Sequence, residues 1–168
     1  ETNFLLFKGL INEVLKESTK FKPIINDVQK ELILKKITNS LIEADEIKYF
    51  KKIAQYPGFY EDLLNLIQEI SMENEIEDSS SFENINNQKF KEVFKIYNRY
   101  YDYLQQNDLN DERLQYKAAL GNLSDSDMIK NIDLFIIDGF QYLNLYQKRL
   151  LNQLSKLDKE IWINLNYE

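Results

Sequence analysis

Asp138 is the residue of this chain best placed to do chemistry, because four apolar residues, Leu134 to Ile137, run directly into it. A short β-branched apolar run reads as a strand buried on both faces, the kind found in a parallel sheet covered by helices. Ligands of open α/β sheets gather at the carboxyl edge of the strands, where one carboxylate can hold a nucleotide's magnesium directly or through water. Burial alone also accounts for the run, and an acid at a strand end can simply open a turn. A second candidate lies in Lys89 to Leu104, where Lys91, Lys95 and Arg99 recur at four-residue spacing beside a broad face of Phe90, Val93, Phe94, Tyr97, Tyr100, Tyr101 and Leu104. Interleaved cations and rings could track a single strand of DNA, although Glu92 and Asp102 weaken the basic field and a core face backed by a solvated face explains the same pattern.

Composition removes other chemistries. Without Cys or His the chain has no disulfide framework, no zinc, haem or iron-sulfur site of ordinary ligation, and no serine-histidine or cysteine-histidine catalysis. The acidic stretch Ser71 to Asn87 lacks a Gly-turned ligand frame and reads as a mobile, solvated loop. A net charge of -7 argues against a dedicated nucleic-acid binder but leaves room for a local basic face. No apolar run approaches the roughly 18 residues that cross a bilayer, and the expectation is a soluble, cytoplasmic protein with no membrane partner.

The elements that must position these residues are mostly helical. Phe4 to Glu17 carries an apolar helical face, and a longer helix is expected over Ile24 to Glu43, with Ile24, Val28, Leu32, Ile37 and Leu41 turned to the core. Tyr56-Pro57-Gly58-Phe59 predicts a turn feeding a helix that carries Leu63, Leu64, Ile67 and Ile70. Asp111 to Leu120 reads as a further helix that stops at Gly121-Asn122. Strand Leu134 to Ile137, a helix capped by Asn144, and a strand over Ile161 to Leu165 make a βαβ unit.

The residues after the first strand are similar to motif II of UvrD/RecB-like superfamily-one helicases, D-E-x-Q-D with a Gln opening the next helix. Asp138, Gln141 and Gln147 match, whereas Gly139 replaces the catalytic Glu and Tyr142 the second Asp. Three separated pieces more closely resemble the amino-terminal region of AddB/RexB-type B subunits of AddAB-class helicase-nucleases. These are Pro57-Gly58-Phe59, the helix Lys89 to Tyr100, and Ile137-Asp138-Gly139-Phe140 followed by Gln147. The family's Asp, Thr-Pro and Leu after the last element are here Tyr142, Asn144-Leu145 and Tyr146.

The resemblance implies an α/β fold, predominantly helical: a helical 1B-like insertion over 1–130, then over 131–168 a small parallel βαβ edge of a RecA-like P-loop domain with a degenerate Walker B. It implies a fragment of a parent ATP-dependent DNA helicase/exonuclease subunit that acts in double-strand-break repair and recombination, with a downstream nuclease domain and a helicase-nuclease A subunit as partner. Asp138, with Gln141 and Gln147 as weaker candidates, would make residual nucleotide contact, Asp138 alone the metal contact; Lys91, Lys95 and Arg99 would face DNA. No G-x-x-x-x-G-K-S/T occurs, since none of the four glycines precedes a Lys, so Mg2+ and ATP are expected in the parent protein only and no turnover or cofactor in this stretch. An active superfamily-one ATPase fragment and a non-enzymatic helical interaction module are the alternatives.

Overall fold

The computed structural model describes residues 5–18, 20–73 and 87–165. The chain forms α1 (Phe7–Glu17), α2 (Asp27–Glu43), a 3-10 turn (Phe50–Lys52), α3 (Phe59–Glu73), α4 (Gln88–Gln106), α5 (Glu112–Leu120), α6 (Asp127–Lys130), β1 (Leu134–Phe140), α7 (Leu145–Lys156) and β2 (Glu160–Leu165). Two compact units result, one from Glu1–Pro23 with Asp111–Glu168 and the other from Ile24–Asn110. Helices α1, α5 and α6 pack with the strands because Phe7, Leu10, Ile11, Val14, Leu15, Ala119 and Ile129 share one core with Phe135, Leu150, Leu151 and Leu154.

In this first unit β1 and β2 pair in parallel, from Leu134 opposite Glu160 to Asp138 opposite Asn164, with α7 between them in sequence. The parallel βαβ expectation is met. Burial on both faces is not. Phe135 is buried, and Ile137, Phe140 and Ile161 pack against the same core, whereas Ile136 is 63% and Trp162 57% exposed on the opposite face. The run is apolar throughout, but side chains alternate across a strand and the described helices cover one face only. Helix α1 reaches the sheet through Phe7, whose ring meets Phe140 edge-on at 5.1 Å. Its last residue, Glu17, accepts hydrogen bonds from Ser126 Oγ and Met128 N, tying the start of α6 to α1.

The second unit is helical among the described residues, and its ends meet: Ile25 N donates to Asn110 O at 3.0 Å. Asn26 opens α2 with a full capping box shared with Gln29. The face expected for this helix is corrected, since Val28 and Leu32 are 67% and 62% exposed while Lys30, Leu34, Ile37, Thr38 and Leu41 are buried. Four- and five-residue steps drift around the helix, and the 3.6-residue period selects Leu34, Ile37 and Leu41. On α4 the aromatic face is buried as expected apart from Phe90, which is exposed in the first turn. Gly58 occupies φ +82, the left-handed conformation that the Pro57-Gly58 turn requires. Helix α3 continues to Glu73, into the stretch expected to be a loop, and the remainder of that loop, 74–86, lies outside the described residues. Among the described residues no helix is long and apolar enough to cross a membrane.

Candidate functional site

The regular register of the sheet ends at Asp138. Beyond its pairing with Asn164 the ladder shifts between Asp138 and Phe140, and Gly139 sits in the gap with φ +82. Asp138 is exposed, and its Oδ1 accepts a 2.7 Å hydrogen bond from Asn164 Nδ2. Gly139 therefore sets the backbone at the end of the regular pairing. No atom stands within 4 Å of a Cβ built on Gly139, but a side chain at this φ is strained whatever the space. An acid at position 139 would be strained in the left-handed backbone that the glycine adopts.

Gln141 is exposed in the bend after β1. Gln147 is engaged in holding α7: its Oε1 accepts from Asn144 N at 2.9 Å, while its N–H donates to Asn144 Oδ1 at 2.9 Å. This reciprocal pair satisfies two groups at the helix start and explains the Gln three residues after Asn144 without any ligand. The Gln147 side chain also hydrogen-bonds Tyr116. Burial raises the pKa of the Tyr116 hydroxyl, and the Gln147 bond offsets part of that rise.

Magnesium favours six oxygens, usually one or two carboxylates with phosphates and waters. Asp138 supplies one carboxylate that is already hydrogen-bonded, and among the described residues no three His, Cys, Asp or Glu groups converge. These residues do not fit a resident magnesium unaided. They also lack a general base beside Asp138, the group that orients an attacking water in phosphoryl transfer.

The basic stripe lies in the second unit. Lys95 Nζ pairs with Glu46 Oε2 at 3.2 Å, and the Arg99 guanidinium lies 4.0 Å from Glu46 Oε1, while Lys91 is exposed. Glu46 belongs to the segment after α2, 49 residues before Lys95, so no local pattern announced it. One turn from the stripe, buried Glu92 accepts from the backbone N–H groups of Lys48, Tyr49 and Phe50 at 2.8, 2.9 and 3.2 Å and from Gln88 Nε2 at 2.9 Å. Burial pushes its carboxyl pKa up, but the bonds from Gln88, Tyr49, Lys48 and Phe50 outweigh that and hold it below the ordinary glutamate value. Of the rings expected to stack on bases, Phe94, Tyr97, Tyr100 and Tyr101 are buried and Phe90 is exposed.

These observations define a mostly helical α/β chain in which the regular pairing of a parallel strand ends at an aspartate, followed by a glycine in the left-handed conformation. The family described as "ADDB, N-terminal" matches residues 1–168, and the chain belongs to that family. It is 23% identical over 171 residues to the B subunit of the ATP-dependent helicase/deoxyribonuclease of Listeria monocytogenes serotype 4a (strain HCC23). That match covers 98% of this chain and 14% of the relative, so the chain spans about one-seventh of the relative's length.

Proposed function

We propose that this region is an inactivated helicase-like segment of a DNA-repair helicase-nuclease subunit, one that guides DNA without hydrolysing ATP itself. Family membership supports the assignment to such a subunit. The observation that carries the loss of hydrolysis is the backbone at Gly139, where a left-handed glycine in a shifted ladder follows Asp138. Magnesium and ATP chemistry then requires a phosphate-binding loop from outside these residues, and the working assembly includes a helicase-nuclease A subunit in the cytoplasm.

On this reading the βαβ unit is one edge of a larger RecA-like sheet. Parallel sheets are stable when both faces are covered, and here Leu134, Ile136 and Trp162 lie exposed on the outer face. Residues 1–130 correspond to the 1B-like lobe, and within them the unit Ile24–Asn110 has its two ends joined at Ile25 and Asn110. Asp138, Gln141 and Gln147 are remnants of a nucleotide motif. The bond from Asn164 and the capping box of Gln147 favour a second reading of Asp138 and Gln147, in which they only hold the unit's shape.

Lys91, Lys95 and Arg99 face DNA. Changing all three to Glu is expected to lower single-stranded DNA retention by tenfold or more. It also flattens the dependence of affinity on salt by about 2, three contacts at roughly 0.7 each. Unchanged retention by a variant with an unaltered melting profile removes the stripe from the interface.

A further inference from the structure

We propose that Glu46 is an autoinhibitory acid, an internal competitor that occupies Lys95 and Arg99 until a backbone phosphate displaces it. This rests on the reading that Lys91, Lys95 and Arg99 face DNA, and it names what regulates that stripe. Lys95 Nζ lies 3.2 Å from Glu46 Oε2 and also donates to the Glu46 carbonyl at 3.3 Å, while the Arg99 guanidinium stands 4.0 Å from Glu46 Oε1. One carboxylate thus meets two of the three cations, each through a different oxygen. Lys91, exposed one turn earlier on α4, pairs with no acid among the described residues.

The fold keeps the acid at its post. Glu46 N donates to Leu41 O at 2.9 Å, Ile47 is fully buried, and Glu92 of α4 fixes the next three N–H groups, those of Lys48, Tyr49 and Phe50. The backbone is therefore tied on both sides of Glu46, and only its side chain is left to move. All three charged side chains remain open to solvent, at 37% for Glu46, 41% for Lys95 and 58% for Arg99. Exposed ion pairs of this kind are weak, whereas a phosphate chain that engages an ammonium and a guanidinium forms charge-assisted hydrogen bonds with both. In the exchange the two cations pass from carboxylate to phosphate, and the Glu46 carboxylate turns to water. The stripe then binds less tightly than its three cations alone would, by the cost of that displacement.

The test titrates the full-length protein into a fluorescein-labelled oligothymidylate and follows anisotropy. Glu46→Gln keeps the side chain's size and removes its charge, and should tighten binding by about three- to tenfold. Asp45→Asn is the charge-matched comparison: Asp45 pairs with Lys48 at 2.8 Å instead of the stripe, and Asn tolerates its left-handed backbone at φ 56. That variant should change affinity by less than about twofold. In a background carrying Lys95→Gln and Arg99→Gln, Glu46→Gln should gain nothing, because the acid then has no cation to withhold. If Asp45→Asn tightens binding as much as Glu46→Gln does, the gain is general charge relief and the competitor role is overturned. If Glu46→Gln leaves affinity unchanged while the Lys95 and Arg99 double variant loses it, the competitor falls and the stripe stands. If neither variant alters binding, the reading of the stripe fails with it.

Discussion

Replacing Glu92 by alanine is expected to destabilise the helical unit by about 3–5 kcal/mol, because three backbone N–H groups lose a buried charged acceptor together. Lys48, Tyr49 and Phe50 donate to this one carboxylate across more than forty residues of sequence. Chemical denaturation followed by circular dichroism measures the loss, and hydrogen exchange should show it first at Lys48 to Phe50. The Gln variant keeps one acceptor oxygen but sets an amide donor against the N–H groups, so it should fall between alanine and wild type. The pH dependence has a definite sign. The folded-state pKa of Glu92 is lowered, so its contribution is complete above the unfolded value of about 4.3 and is lost as pH falls through the folded value. Wild-type stability should therefore drop on acidification below about pH 4.3, and the alanine variant should lack that component. Equal acid sensitivity in the two proteins would deny the carboxylate this role.

The second large effect is expected in the other unit. Leu150 is fully buried on α7, in the core that joins α1 and α5 to Phe135 of β1. Truncation to alanine leaves a cavity that the surrounding helices fill only partly, costing about 2–5 kcal/mol. Truncating Leu32 on α2 is the internal comparison, since that side chain is exposed and its loss should cost within about 0.5 kcal/mol. Equal losses at the two leucines would mean that the cores are misassigned.

Much of the architecture was legible from residue order. The run Leu134 to Ile137, the Asn144 to Gln147 spacing and the Pro57-Gly58 turn act within a few residues, where alternation, capping and left-handed glycine geometry are local rules. What stayed hidden depends on partners far along the chain. Glu92 looked like an acid weakening a basic stripe, but it is an internal acceptor for a segment more than forty residues upstream. Glu46 reaches Lys95 and Arg99 in the same way. The exposed Ile136 and Trp162 could not be foreseen, since an apolar run is read the same whether one face or both are covered. At the strand end the letters gave Asp-Gly, but the register shift that opens the glycine's backbone needed the pairing with β2.

The proposed loss of hydrolysis is tested most directly by ATP turnover of the full-length protein with saturating single-stranded DNA, measured for the wild type and for Asp138→Asn. If Gly139 stands at the position of a water-orienting acid, as proposed, neither protein should turn over ATP above the protein-free rate. Turnover by the wild type that Asp138→Asn abolishes would contradict the account.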